Sequence, residues 1–218
     1  MVLRKAFTLI ELLVVIAIVG ILASVMVPAI SGGHTLSQTA VCKNNQRQLV
    51  LAAAAYRTDH GTNPPSVVSM FTHWDDDSIL WQYIGGEKEN TACPNHSSSE
   101  YSVTGYNYNT SFIGDEFIIG SGFIVKGLLP AECSHPSHCA LFGDGYENKF
   151  MRATLSDASI RCGGRQEYRH NFSTVVGWLD GHVSSQEKQF NNNCTDEQQV
   201  GFLSEDNSAY DPRKIVLQ

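Results

Sequence analysis

The residues best able to do chemistry lie in one stretch, Arg169-His170-Asn171-Phe172-Ser173-Thr174-Val175-Val176-Gly177-Trp178-Leu179-Asp180-Gly181-His182-Val183, where a histidine is followed, after nine residues, by Asp-Gly-His. Imidazole and carboxylate together suit acid–base catalysis or metal binding, so His170, Asp180 and His182 form one candidate set. The structural reading is the stronger one. Val175, Val176, Trp178 and Leu179 read as a buried strand and Asp180-Gly181 as a turn, and a histidine returning to the turn carboxylate satisfies the hydrogen bonds of both groups. No nucleophile or second acid is fixed beside them by the sequence. The expectation is a structural motif of His170, Asp180 and Gly181 and no enzymatic activity. No Gly-x-Ser-x-Gly, phosphate-binding glycine loop or His-Glu-x-x-His occurs, and Gly143-Asp144-Gly145 reads as a tight turn.

Six cysteines, Cys42, Cys93, Cys133, Cys139, Cys162 and Cys194, form the second chemical feature. They allow 15 pairings, so connectivity is not fixed by the sequence. The first choice is Cys133 with Cys139, which close a short loop around Pro136; Cys162 with Cys194 and Cys42 with Cys93 are the remaining candidates. The same loop offers His135 and His138 beside its two thiols as ligands for zinc. That spacing is cramped compared with the usual Cys-x2-4-Cys and His-x3-5-His arrangements, which favours the disulfide.

The elements that must carry these groups are announced by composition. Fifteen Lys and Arg against 22 Asp and Glu give a net charge of −7, and charged residues are only 17% of the chain, so the surface is polar rather than charged. With no basic cluster there is no electrostatic footprint for phosphate backbones, which argues against nucleic acid as a partner. Much of the apolar excess sits in a block from Phe7 to Ile30, interrupted only by Thr8, Glu11, Gly20, Ser24 and Pro28. As a helix it reaches about 36 Å, enough to cross a hydrocarbon layer of roughly 30 Å. Arg4 and Lys5 precede it and place that end in the cytoplasm, with the rest of the chain, all six cysteines included, outside.

Glu11 separates the readings of this block. A carboxylate inside an apolar run costs up to about 2.5–3.5 kcal/mol on insertion scales, and a plain anchor or a cleaved signal gains nothing from it. Cleavage after Ala6 would give Phe7 a cationic amine, and Glu11 could pair with that amine on a neighbouring copy in a dry environment.

The stretch Lys5-Ala6-Phe7-Thr8-Leu9-Ile10-Glu11-Leu12-Leu13-Val14-Val15-Ile16-Ala17-Ile18 resembles the N-terminus of type IV pilins and type II secretion pseudopilins. The resemblance implies cleavage by prepilin peptidase before Phe7, N-methylation of Phe7, and a helical homopolymer with Glu11 as the assembly residue. It also implies an inner-membrane assembly platform as partner, a single-pass precursor with its head outside, and then a periplasmic or cell-surface filament. Pro28 falls where that family carries a helix-kinking proline, while Ala6 stands where the family usually has Gly. The pattern Cys42, Asn45, Gln48-Leu49, Tyr56, Asp59, Gly61, Pro64 and the later pieces Cys93-Pro94, Gly105-Tyr106-Asn107 and His-x9-Asp-Gly resemble a pilin-like group with that C-terminal signature. No cofactor is implied beyond calcium, which related pseudopilins bind near the C-terminus; Asp206 and Asp211, with Asp144 and Asp180 behind them, are the candidates here, and none sits in a matching motif.

The fold expected is α+β and pilin-like: a long N-terminal helix, its first half membrane-spanning, packed on a mainly antiparallel sheet. The expected divisions are a leader at 1–6, a polymerisation helix at 7–30, an amphipathic stem at 31–61 and a β-rich head at 62–218. Gly32-Gly33 should loosen or bend the helix, and Gly61 with Pro64-Pro65 should end it. In the stem, Leu36, Ala40, Leu49, Ala53 and Tyr56 form the apolar face, interleaved with polar Lys43, Asn44, Gln46, Arg47 and Arg57. Strands are expected near 103–108, 117–125, 139–143, 174–179 and 212–217, and Asp75-Asp76-Asp77 as a solvated loop. A second function is a surface-displayed, membrane-anchored module that recognises glycan through exposed Trp74, Trp81, Tyr106 or Tyr108.

Overall fold

A computed structural model describes residues 8–69, 72–96, 103–110, 112–114, 116–117, 124–125, 127–128, 130–146, 149–151, 165–191, 198–205, 208–211 and 213. Ala6, Phe7, Cys162, Cys194 and Asp206 lie outside them, as does the strand expected at 212–217 apart from Arg213. The chain forms two compact units, residues 1–37 and 38–218.

Helix α1 runs from Leu9 to His60, and neither Pro28 nor Gly32-Gly33 interrupts it. In the first unit its apolar side chains face outward, with Leu9 85% and Ile21 67% exposed. The helix is long and apolar enough to cross a membrane. It opens with a capping box: the Thr8 backbone N–H and hydroxyl donate to Glu11 Oε2 at 2.8 and 2.7 Å, and the Glu11 N–H donates back to Thr8 Oγ1 at 3.3 Å. The last turn closes as expected at Gly61, which takes a left-handed φ of 71° while its N–H reaches Arg57 O at 2.9 Å.

In the second unit, the later part of α1 buries Cys42, Asn45, Gln46, Leu49, Val50, Ala52 and Ala53. Those positions recur at intervals of three and four, one stripe of a helix. Gln46 belongs to the buried stripe and not to the polar interleaving expected of it, because it meets main-chain and side-chain partners inside the unit.

Among the described residues nine short strands follow: β1 Tyr106–Asn109, β2 Glu116–Phe117, β3 Ile124–Val125, β4 Ala140–Asp144, β5 Phe150–Met151, β6 Gln166–Glu167, β7 Thr174–Trp178, β8 Val183–Gln186 and β9 Val200–Gly201. Five make the main sheet in the order β5-β1-β4-β7-β8, antiparallel except for the β1–β5 pair. The strand expected at 117–125 is instead the antiparallel pair β2–β3. Gly143-Asp144 closes β4 opposite Asn107 and Tyr106 rather than forming a tight turn.

All described residues of β1, β4 and β7 are buried, because the sheet is covered on both faces. Leu49, Val50, Trp74, Tyr108, Phe142 and Val175 pack on the α1 side, and Val176, Trp178, Ala209 and Tyr210 on the other. The late chain is fixed there by main-chain polar groups: Asn109 Nδ2 donates to Tyr210 O, and Ala140 N to Ala209 O, each at 2.8 Å. The acidic run is structured rather than merely solvated: Asp75 pairs with Lys149 Nζ at 2.9 Å, Asp76 caps a short π-turn over Asp77–Trp81, and Asp77 pairs with Lys88 at 3.1 Å.

Candidate functional site

The signature stretch wraps one strand. His170 stands in the tight turn before β7, where Asn171 and Phe172 have φ of 52° and 60° and the His170 and Ser173 main chains bond each other at 3.0 and 3.2 Å. Asp180 and Gly181 stand in the turn after it, joining β7 to β8. Gly181 takes φ 105°, and Trp178 N reaches His182 O at 2.9 Å.

His170 does not return to the Asp180 carboxylate. Asp180 Oδ1 is occupied within its own turn by His182, accepting from its N–H at 3.1 Å and lying 2.6 Å from its Nδ1. The His182 ring stacks on Trp178, with centroids 5.6 Å apart. The partner of His170 is Asp144 at the end of β4, with Nε2 3.3 Å from Oδ2 and neither side chain exposed. The same Nε2 is 3.5 Å from Cys93 Sγ, and Nδ1 is 3.5 Å from Thr39 Oγ1 on α1.

Asp144 gathers the surrounding elements. It accepts from Val175 N at 2.7 Å and from Gln46 Nε2 at 3.3 Å, and Arg169 NH2 lies 3.9 Å away. Arg169 is itself buried and held by Gly105 O and Gly145 O at 2.6 and 3.0 Å. A carboxylate so far from water persists because charged and neutral donors together replace its hydration. Burial, then the nearby Asp144 carboxylate, push the Tyr106 phenol above its ordinary range.

A Cys–His–Asp triad uses opposite nitrogens of the imidazole for nucleophile and carboxylate. Here Cys93 and Asp144 both approach Nε2, and Cys93 is tied up in a disulfide with Cys42. The arrangement is therefore a clamp joining α1, the segment before β1, β4 and β7. Asn45 reinforces it, donating to Thr91 O and Ala92 O at 2.9 and 3.2 Å.

Of the three candidate disulfides, Cys42–Cys93 is formed. Cys133 and Cys139, the first choice from the sequence, are free thiols in hydrogen-bond contact. That contact brings the Cys133 thiol down to about 7 against the opposing effect of its partial burial, and the same contact together with burial pushes Cys139 up. Burial of Cys139 under Tyr210 O, 3.4 Å from its sulfur, gives it an acceptor in the thiol state. Among the described residues, the Cys, His, Asp and Glu side chains whose ligand atoms converge as a group are Cys42, Cys93 and His170, within 4.8 Å of one another; His135 and His138 do not join such a group with Cys133 and Cys139.

Of the carboxylates named for calcium, Asp206 lies outside the described residues and the described ones have other partners. Asp211 is spent on Arg213 Nε at 2.9 Å and Arg213 NH2 at 3.1 Å, Asp180 on His182, and Asp144 on the clamp, so their carboxylates do not converge. The aromatic side chains proposed for glycan do not form a platform either. Trp74, Tyr106 and Tyr108 are wholly buried, and Trp81 is buried beneath the Lys88 ammonium 5.5 Å above its ring.

Residues 1–27 match the family described as a prokaryotic N-terminal methylation motif. Over those residues the chain is similar to the N-terminal segment of type IV pilins and pseudopilins. The motif implies processing by prepilin peptidase and filament assembly, speaks for a structural rather than a catalytic role, and together with the apolar helix fits an inner-membrane precursor. No curated protein and no solved structure matches the chain. Sequence reasoning missed Asp144, Arg169, Gln46 and Thr39 as partners of His170. The signal for Gln46 was present: it lies four residues from both Cys42 and Val50 on the buried stripe.

Proposed function

We propose that this chain is a subunit of a helical filament, of the type II secretion pseudopilus or type IV pilus kind, cleaved between Ala6 and Phe7 and polymerised through its N-terminal helix. The observation that carries the reading is Glu11, a carboxylate in the first turn of a helix whose first stretch exposes large apolar side chains from Leu9 to Val27, inside the matched residues 1–27. Its local partner is Thr8, and a cap of this kind contributes about 0.5–2 kcal/mol. Carrying the charge into hydrocarbon costs up to about 2.5–3.5 kcal/mol, so the cap alone does not offset it. The methylated amine of Phe7 on the next copy supplies the missing countercharge.

Head-to-tail repetition of one contact gives an open helical polymer, and the exposed apolar stem gives that contact its buried area. The precursor resides in the inner membrane and feeds an assembly platform there. Glu11→Ala should leave membrane insertion intact while abolishing or misregistering filaments, seen by electron microscopy of shear-released material. Thr8→Ala removes only the cap and should leave filaments. Normal filaments from Glu11→Ala would sink the mechanism, and recovery of the subunit only from the periplasmic side would favour the pseudopilus over the surface pilus.

A further inference from the structure

The clamp at His170 has the geometry of a second chemical state. A tetrahedral zinc with nitrogen and oxygen ligands at about 2.0–2.2 Å and sulfur at about 2.3 Å sets ligand edges of about 3.3–3.5 Å for N···O and about 3.5–3.6 Å for N···S. His170 Nε2 is 3.3 Å from Asp144 Oδ2 and 3.5 Å from Cys93 Sγ. Two edges of a zinc tetrahedron are thus already in place, and Cys42 Sγ, bonded to Cys93, brings the fourth donor within 4.8 Å of the other sulfur and the imidazole.

We propose that, when the Cys42–Cys93 bond is reduced, Cys42, Cys93, His170 and Asp144 bind a zinc-class divalent cation, so that metal and disulfide are alternative clamps between α1 and the sheet. Closing the tetrahedron separates the two sulfurs to about 3.8 Å, its S···S edge, and draws the Asp144 carboxylate, which lies outside the group of Cys42, Cys93 and His170, toward them. The donor set is right for the metal: two thiolates, one imidazole and one carboxylate.

Conversion leaves the net charge of the site unchanged, because the dication cancels the two thiolates that replace the neutral disulfide. In both states Arg169 faces two carboxylates, Asp144 at 3.9 Å and Glu167 at 3.3 Å. Outer partners already hold the ligands: Val175 N and Gln46 Nε2 orient Asp144, and the Thr39 hydroxyl sits at the far nitrogen of His170.

The conversion balances. Attack by the Cys42 and Cys93 thiolates on a disulfide oxidant, protein or small molecule, forms the Cys42–Cys93 bond and breaks the oxidant's S–S bond. The oxidant takes up two electrons, and two protons from solvent, to become two thiols, while the metal leaves as the dication. A chain arriving outside the membrane in reduced form is thereby clamped before it is oxidised.

The test uses the full chain in detergent, reduced and oxidised, with Co(II) and Zn(II) as probes. The reduced chain should bind Co(II) with the intense visible bands of a tetrahedral thiolate site, displaced by Zn(II), and the oxidised chain should not bind at these residues. Zinc should slow alkylation of Cys42 and Cys93, mapped by peptide mass, at least about tenfold, and His170→Ala should weaken binding by at least the roughly 10–100-fold that loss of an outer partner costs. Cys42→Ser should abolish the bands, and Cys133→Ser should not. Alkylation of Cys42 and Cys93 at the same rate with and without zinc overturns the proposal, and because that comparison needs no substitution it holds even if a variant misfolds. Bands that survive Cys42→Ser also overturn it.

Discussion

Gly177, in the middle of β7, marks where α1 comes closest to the sheet. A Cβ at this position would fall 2.6 Å from Val50 Cγ2 and 3.4 Å from Gln46 Oε1. Carbon atoms prefer about 3.5–4.0 Å, so Gly177→Ala forces an overlap of about 1 Å on a β-branched side chain that has one favoured helical rotamer. Overpacking of this kind costs about 1–3 kcal/mol. Val50→Ala removes two methyl groups at about 0.8 kcal/mol each and leaves a small cavity, roughly 2 kcal/mol together. Independent effects would sum to roughly 3–5 kcal/mol. In the double variant the new methyl enters the space that Val50 vacates, so the loss should stay near 2 kcal/mol, a coupling of about 1–3 kcal/mol. At about 2–4 °C per kcal/mol for a unit of this size, the double variant should melt several degrees above the additive expectation. Near-UV circular dichroism melts of the four full-length proteins in detergent measure it. Additivity within about 0.5 kcal/mol, or a harmless Gly177→Ala, would refute the packing of α1 on β7 and with it the placement of Gln46.

Asp144→Asn removes an anion that faces buried Arg169 and His170; breaking a buried pair costs about 3–5 kcal/mol, so the melting temperature should fall on the order of 10 °C. Cys133, brought down to about 7 by its contact with Cys139, should alkylate ahead of Cys139 with a rate that rises through neutral pH as thiolate forms, and Cys139→Ser should move that midpoint upward. Phe172 holds φ 60° at 66% exposure, a backbone region that costs a bulky residue about 1–3 kcal/mol, so Phe172→Gly should raise the melting temperature; a fall would mean that the ring contributes more than its exposure indicates.

What the sequence disclosed was whatever is written in local pattern. The apolar span, the end of α1 at Gly61, the strands at β1, β4 and β7, and the Asp180-Gly181 turn all follow from periodicity, apolar length or turn chemistry. The clamp does not, because its members are chosen by contacts between distant segments. Asp144 was read as a turn residue because glycines flank it, yet Gly143 and Gly145 lie in strand and bridge pairing with Asn107 and Gln166, and only that pairing turns the carboxylate inward. Favouring Cys133–Cys139 over Cys42–Cys93 rested on loop length alone. Closing a longer loop costs only slightly more entropy, and the packing of α1 has already brought Cys42 to Cys93. Strand β8, with Ser184, Ser185 and Gln186 half-buried at the sheet edge, lacks the apolar alternation that would have announced it.

The nine-residue spacing between His170 and Asp180 is the spacing the clamp requires. Strand β7 takes five of those residues, and its two faces serve different partners: Val175 and Gly177 look toward α1, Val176 and Trp178 toward Tyr210. The turn before it must deliver His170 to Asp144 and Cys93, while the turn after it delivers the Asp180 N–H to Pro136 O at 3.2 Å and the Leu179 N–H to Cys139 O at 3.0 Å. One residue more or fewer within the strand would reverse its faces, bringing a large side chain against Val50 and taking Val175 N away from Asp144. Histidine and Asp-Gly are therefore two ends of one device. The first end joins β7 to the helix and the disulfide, the second joins it to the Cys133–Cys139 loop, and the strand between them fixes their distance.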